Sequence, residues 1–106
     1  MPRPRRRPPR AHVVGGEWPA AQLDGDAAAV AAQQFVANLA AATVGMSLRA
    51  VEAVTGVDHD TVARVLRGDT WPDMATVANL EHGLGKKLWP EPSQAEGTAA
   101  QDTSGD

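Results

Sequence analysis

The stretch from Gly45 to Pro72 constrains the fold of this 106-residue chain more than any other part of its sequence. It reads GMSLRAVEAVTGVDHDTVARVLRGDTWP, with apolar residues at helical intervals on both sides of Gly56. Glycine adopts the positive φ of a helix end without the clash that a Cβ would cause. The pattern therefore predicts two short helices joined by a tight turn, which is typical of a helix-turn-helix.

The first of these helices is predicted to begin after Ser47, whose hydroxyl can accept a hydrogen bond from a backbone N–H of the first turn. Its apolar positions are Leu48, Val51 and either Val54 or Thr55. Asp58 is expected to cap the second helix and Gly68 to close it.

The second helix has one apolar side and one polar side. Its buried stripe is predicted to consist of Val62, Val65 and Leu66. The opposite side carries His59, Asp60, Ala63, Arg64 and Arg67. Short or polar side chains of this kind can meet base edges in a major groove, so this helix is a candidate recognition helix.

Turn, cap and core positions in this single register resemble the Cro and phage-repressor (xenobiotic-response-element) type of helix-turn-helix domain. The matching positions are Gly45-x-Ser47-Leu48, Val51, Thr55-Gly56-Val57, Thr61-Val62-x-Arg64-Val65-Leu66-x-Gly68, Pro72 and Leu80. The resemblance spans about half the chain, from Phe35 to Leu88, and implies a compact all-α, lambda-repressor-like domain of four to five helices. It also implies a transcriptional regulator of a bacterium or phage that binds duplex DNA as a homodimer.

One residue departs from the family pattern. Glu52 stands where the family most often has a small residue packed between the two helices. We expect its carboxylate to lean out along the edge of the helix.

The proposed base contacts of the second helix are His59, Asp60, Ala63 and Arg64. Arginine can bond a guanine bidentately, aspartate can accept from a cytosine amino group, and alanine can touch a thymine methyl. The alternative is a solvated helix face with an i,i+4 ion pair between Asp60 and Arg64. The sequence leaves both interpretations open.

Backbone contacts to DNA are implied by the resemblance, because that family holds phosphates with its helix ends and with the loop after the recognition helix. The candidates are Ser47, Thr61, Arg67 and Thr70. Ser47 can also be simply a cap, and the two roles are compatible.

Charge is distributed unevenly along the chain. The first ten residues contain five basic side chains and no acid: Arg3, Arg5, Arg6, Arg7 and Arg10. Residues 11–90 carry nine acidic and five basic side chains, a net charge of −4, and residues 91–106 carry four acids. Since phosphate neutralisation supplies most nonspecific affinity, the arginines are expected to contact phosphates or to enter a minor groove. An unbound flexible end is the alternative.

Composition divides the chain into three parts. Residues 1–25 are a basic, Pro/Arg-rich flexible arm and connector, in which 1–10 are expected to be extended and 18–23 to form a short helical turn. Residues 26–90 form the DNA-binding domain, with an alanine-rich first helix after Asp26 and a last helix that begins after Asp73 and ends at Gly83 and Gly85. Residues 91–106 are an acidic, disordered tail. Nothing in the sequence requires a β-strand.

Several classes of protein are disfavoured. The absence of cysteine excludes disulfides and thiolate zinc sites, and no apolar run approaches a membrane span. Successive residues of the Asp58-His59-Asp60 triplet diverge on a helix, so we expect no metal site, cofactor or catalytic residue. His12 and His82 are expected to be ordinary surface or boundary residues, and Trp71 and Trp89 to pack in the core or at its rim. A cytoplasmic, nucleoid-associated protein without membrane contact is the resulting expectation.

A second class stays open beside DNA binding. The same fold serves as a protein-interaction module, such as an antitoxin or a regulator that docks on a transcription factor. The acidic middle of the chain favours this alternative modestly, because phosphates repel such a surface.

Overall fold

The computed structural model describes residues 6–92, in which helices predominate. The α-helices are α1 (Ala27–Ala42), α2 (Leu48–Thr55), α3 (His59–Leu66) and α4 (Met74–Leu84). A 3-10 helix (Pro9–His12) and two short antiparallel strands, β1 (Val13–Gly15) and β2 (Gln22–Leu23), precede them. The expectation of an all-α domain of four to five helices is confirmed in part: the fold is mostly helical with four α-helices, but it also contains a two-stranded sheet that the sequence did not require.

Each α-helix begins at a residue whose side-chain oxygen accepts a hydrogen bond from a backbone N–H of the first turn. These caps are Asp26, Ser47, Asp58 and Asp73, with distances of 2.8–3.0 Å. Helices α2 and α4 end at Gly56 and Gly85, both in the left-handed region with φ of 77° and 67°. Capping chemistry therefore sets the helix limits close to those predicted from sequence.

One apolar core joins the four helices. Its fully buried members are Phe35, Val36 and Leu39 of α1, Val51 of α2, Val57 of the turn, Val62 and Val65 of α3, Leu80 of α4, and Leu88. Leu66 is only half-buried, and Leu48 and Val54 are exposed. The predicted stripes of α2 and α3 were therefore too wide, because each of these two-turn helices presents only one or two residues to the core.

Gly83 lies inside α4 and does not end it, in contrast to the prediction. A Cβ at this position would collide with the carbonyl oxygen of Val54 and lie 2.6 Å from the Cα of Thr55. The glycine is thus required for the close approach of α4 to the end of α2.

The N-terminal segment, residues 6–25, packs against the helices. Pro9 and His12 are buried, Arg10 N–H donates to the Gly68 carbonyl (3.0 Å), and Trp71 Nε1–H donates to the Arg7 carbonyl (2.7 Å). Pro8 is extended, as expected, whereas Pro9 and Arg10 lie in a 3-10 helix that packs on the domain. His12 is buried, in contrast to the surface or boundary residue expected, and its Nδ1 lies 2.9 Å from Oδ2 of Asp24.

Residues 18–23 connect the two strands and end in β2, so the predicted helical turn is wrong. Gln33 of α1 holds this connection by donating its amide hydrogens to the carbonyls of Pro19 (2.6 Å) and Ala21 (2.7 Å). Arg3, Arg5 and residues 93–106 lie outside the described residues. The division into arm, domain and tail stays a prediction.

Candidate nucleic-acid interface

Helix α3 separates a buried side from an open side. Val62 and Val65 face the core, while Asp60 and Arg64 are exposed and Ala63 is half-buried. Three of the four proposed base-contact residues therefore lie on the accessible side of one two-turn helix. That side has both hydrogen-bonding and methyl groups available to a ligand.

Arg64 is distinguished by what it does not contact. Among residues 6–92 it makes no ion pair, and the i,i+4 pair with Asp60 is not formed. The Asp60 carboxylate lies instead 3.6 Å from Nε2 of His59. Of the six arginines in the described part of the chain, Arg64 of α3 and Arg49 of α2 are the two without an acidic partner there.

His59 differs from the other proposed base contacts, because it is engaged within the protein. Its Nδ1 lies 2.8 Å from Oε1 of Glu52, so the carboxylate of α2 reaches across to the start of α3. An ionised carboxylate only accepts hydrogen bonds, which assigns the Nδ1 proton to His59. Glu52 thus leans outward, as expected, and ties the two helices together.

The same contact brings together a group of potential metal ligands. Ligand atoms of Glu52, Asp58 and His59 lie within 4.8 Å of one another, although the sequence had suggested no convergence at this triplet. The third ligand atom comes from Glu52, which lies on α2 and is not adjacent to the triplet in sequence. The hydrogen bond between Glu52 and His59 accounts for their approach without an ion.

The proposed phosphate contacts surround α2 and α3. Ser47 is exposed at the start of α2, where its hydroxyl accepts from Ala50 N–H. Thr61 and Thr70 are half-buried, and Arg67 is exposed at the end of α3. The cap role of Ser47 is confirmed, and the DNA roles of all four residues stay predictions.

Arg6 and Arg7 are paired with acids, one at the start of α1 and one within the N-terminal segment itself. Arg6 lies 2.9 Å from Asp26, with its guanidinium 4.5 Å from the Trp71 ring, and Arg7 lies 3.5 Å from Asp24. Hydrogen bonds from the Asp26 backbone N–H and from His12 hold the pKa of Asp24 below its usual range, with Arg7 adding a smaller effect. The segment is therefore partly neutralised by its own domain.

Asp69 pairs with two arginines at once. Arg67 Nε donates to Oδ2 at 2.8 Å, and Arg10 Nε lies 2.8 Å from Oδ1. The hydrogen bond from Arg67, with the charges of Arg10 and Arg67, lowers the pKa of Asp69 against the opposing effect of desolvation. Asp69 thus stays ionised well into the acidic range.

No protein-family model, curated protein or solved structure matches this chain. The candidate interface is therefore judged on the contacts within residues 6–92. No helix in that range combines the length and the apolar character that crossing a membrane requires.

Sequence reasoning missed two residues beside the interface, Trp18 and Asp69. Trp18 Nε1–H donates to the Leu66 carbonyl at 3.0 Å, and its ring covers Gly68, where a Cβ would lie 2.6 Å from Trp18 Cε2. The signal available in the sequence was the Gly68-Asp69 pair after a helix, which marks a turn but does not name its tertiary partners.

Proposed function

We propose that this chain is a sequence-specific duplex DNA-binding regulator of transcription, in which α2 and α3 act as a helix-turn-helix of the lambda-repressor type. In this proposal α3 is the recognition helix and enters the major groove. Two copies related by a two-fold axis would place their recognition helices about 34 Å apart, on a pseudo-palindromic site. The protein would act in the cytoplasm, at the nucleoid.

The observation that carries the proposal is the unpaired state of Arg64 on the open side of α3. A guanidinium with no acidic partner in the described part of the chain needs no ion pair broken before it binds a guanine. Ala63 lies beside it, where a small side chain allows close approach to a base edge. Arg49 of α2 is a second arginine without an acidic partner among residues 6–92.

The net negative charge of residues 6–92 opposes binding to random duplex, so affinity has to come from contacts that one particular site provides. Residues 6–92 contain ten acidic and eight basic side chains, and four of the six arginines there are paired internally. Affinity for random duplex is expected to be low at physiological salt, since few phosphates are neutralised. Discrimination then depends on direct contacts from α3.

The decisive experiment compares Arg64→Ala with Arg67→Ala on a duplex selected in vitro with the full chain. Arg64→Ala is expected to lose about 1–3 kcal/mol of binding free energy on the selected site and to relax discrimination at one base position. Arg67→Ala is expected to weaken selected and random duplexes alike, because it contacts a phosphate. Fluorescence anisotropy at two salt concentrations measures both.

Lys86→Ala is the matched control, since Lys86 is an exposed cation without an ion pair in the described residues. It should change affinity by no more than the loss of one distant charge. Equal losses for Arg64→Ala on all sequences would show that α3 does not read bases. Failure of the wild-type chain to bind any duplex at low salt would reject the proposal.

A second candidate function is supported by exposed apolar side chains. Val44 and Met74 are 81% and 88% exposed, at the end of α1 and the start of α4. Together with the acidic surface, they suit a protein-interaction module. Chemical-shift mapping with random duplex at low salt separates the two candidates: shifts at Ser47, 59–67 and Thr70 support DNA binding, and no response there supports a protein partner.

A further inference from the structure

Two guanidinium groups from distant parts of the chain meet at the end of α3. Arg10 belongs to the N-terminal 3-10 helix, and Arg67 follows α3. Their Nε atoms each lie 2.8 Å from a different oxygen of the Asp69 carboxylate. Two neighbouring cations repel each other unless an anion lies between them. Asp69 supplies that anion and leaves the trio with a net charge of +1.

The backbone beside this trio is firmly held. Arg10 N–H donates to the Gly68 carbonyl at 3.0 Å, and Trp18 Nε1–H donates to the Leu66 carbonyl at 3.0 Å. Gly68, with a φ of 74°, makes room for the Trp18 ring. These contacts fix the N-terminal segment to the loop after α3, so the two arginines start from anchored positions.

Asp69 is paired with the Nε atom of each guanidinium. Arg67 Nε–H donates to Oδ2 of Asp69, and Arg10 Nε lies 2.8 Å from Oδ1. Arg10 and Arg67 are 58% and 56% exposed, whereas Oδ1 of Asp69 is closed off from solvent. Arg10 and Arg67 both line an open cleft of about 460 Å³, whose other walls are Val13, Glu17, Trp18 and Leu66.

We infer that Arg10 and Arg67 form a clamp for one phosphate of bound duplex DNA, and that Asp69 is the positioning residue that holds the two guanidiniums together. A phosphodiester presents two free oxygens, which suit the fork of Nη–H donors that each guanidinium carries besides its Nε–H. The net charge of +1 on the trio complements one phosphate, against the opposing charge of Glu17 in the same cleft. This inference rests on the proposed DNA-binding function.

The inference makes a prediction opposite in sign to simple electrostatics. Asp69→Asn raises the net charge by one, which by itself strengthens binding to DNA. If Asp69 organises the clamp, the substitution instead weakens binding by roughly three- to tenfold on selected and random duplexes alike. The slope of log affinity against log salt is expected to fall in magnitude by up to about 0.9, for the loss of one phosphate contact.

Glu91→Gln is the matched control, because it makes the same change of charge at an exposed side chain that lies 3.9 Å from Lys87. We expect it to leave affinity unchanged or slightly higher. Arg10→Gln should weaken binding in the wild-type background and have little further effect in the Asp69→Asn background. A coupling of this kind distinguishes a shared clamp from two independent charges.

A measurement on the wild-type chain tests the clamp without relying on variants that could fold poorly. The Nε–H resonances of Arg10 and Arg67 should both shift when the full chain binds duplex, and thermal melting by circular dichroism should show that Asp69→Asn is folded. Binding that tightens in Asp69→Asn as it does in Glu91→Gln overturns the clamp alone. Absence of duplex binding by the wild-type chain overturns the clamp together with the proposed function.

Discussion

The four helices and the N-terminal segment are held by different kinds of interaction. The helices share one apolar core, in which Phe35, Leu39 and Leu80 are fully buried. Residues 6–25 contribute ion pairs and the indole hydrogen bond of Trp18, and their apolar burial is confined to a few side chains such as Pro9 and the partly buried Trp18. Burial of apolar area dominates folding free energy, whereas exposed ion pairs contribute little. The helical part is therefore expected to carry most of the stability.

The difference matters for the candidate interface, which draws on both regions. Arg64 is presented by a helix that the core holds in place, whereas Arg10 is presented by the N-terminal segment. Base reading should thus resist mild destabilisation better than the contact proposed for Arg10. Substitutions that affect only one of the two regions make this difference in stability measurable.

The largest effect is expected for Leu80→Ala. Leu80 is fully buried in α4, and shortening it leaves a cavity among residues of several helices. The free energy of unfolding should fall by about 2–5 kcal/mol, a large share of the stability of a small domain. Urea unfolding followed by circular dichroism measures it. Val54→Ala, at a 51% exposed position, is the control, and an equal loss there would mean that the core is misplaced.

Gly83→Ala is expected to have the next largest effect. The added methyl group would press on the Val54 carbonyl and the Thr55 backbone, neither of which is a flexible side-chain end. Overpacking against backbone should cost about 2–3 kcal/mol, despite the better helix propensity of alanine. Asn79→Ala, on an exposed position of α4, should stay within about 0.5 kcal/mol of wild type in the same unfolding assay. A stabilised Gly83→Ala would show that α2 and α4 are farther apart than described.

The helical half of the fold follows from local sequence rules. Caps at Asp26, Ser47, Asp58 and Asp73 and the left-handed Gly56 specify where helices begin and end, because each acts within one turn of its own position. The N-terminal half does not follow in this way. A Pro/Arg-rich composition indicates an extended chain, and it carries no information about acids at positions 24, 26 and 69 that neutralise its charges in the folded protein.

In the candidate site, too, the helical positions were predictable from the sequence and the tertiary partners were not. Helical periodicity places Asp60, Ala63 and Arg64 opposite Val62 and Val65, and the structure has them there. The partner of His59 was not predictable, since Glu52 lies seven residues away on another helix. Asp69 was missed because its role depends on Arg10, which is close only after folding.

Trp18→Ala tests whether the N-terminal segment unfolds together with the helices. The substitution removes the hydrogen bond to Leu66 and the ring that covers Gly68. Since the indole is only half-buried, we expect a loss of about 1–2 kcal/mol, below the range for a fully buried tryptophan. The free energy of unfolding of Trp18→Phe should lie between those of Trp18→Ala and wild type. Hydrogen exchange of the Arg10 amide should accelerate, and an unchanged rate with unchanged melting would show that the segment is held by other contacts.

The smallest effect is expected for Glu81→Gln, and it should depend on pH. Oε2 of Glu81 accepts hydrogen bonds from Leu88 N–H (2.7 Å) and Trp89 N–H (2.9 Å), which lower the pKa of this carboxyl group. A pKa lower in the folded than in the unfolded state stabilises the protein above the unfolded value of about 4.3, and this contribution is lost as pH falls through the folded value. At neutral pH the variant should lose about 1 kcal/mol, discounted for partial exposure, and the difference from wild type should shrink below about pH 4. Urea unfolding from pH 3 to 7 measures it, with Glu91→Gln as a control at an exposed carboxylate. A difference that is independent of pH would assign the loss to packing, and would leave the segment after α4 held by its apolar contacts alone.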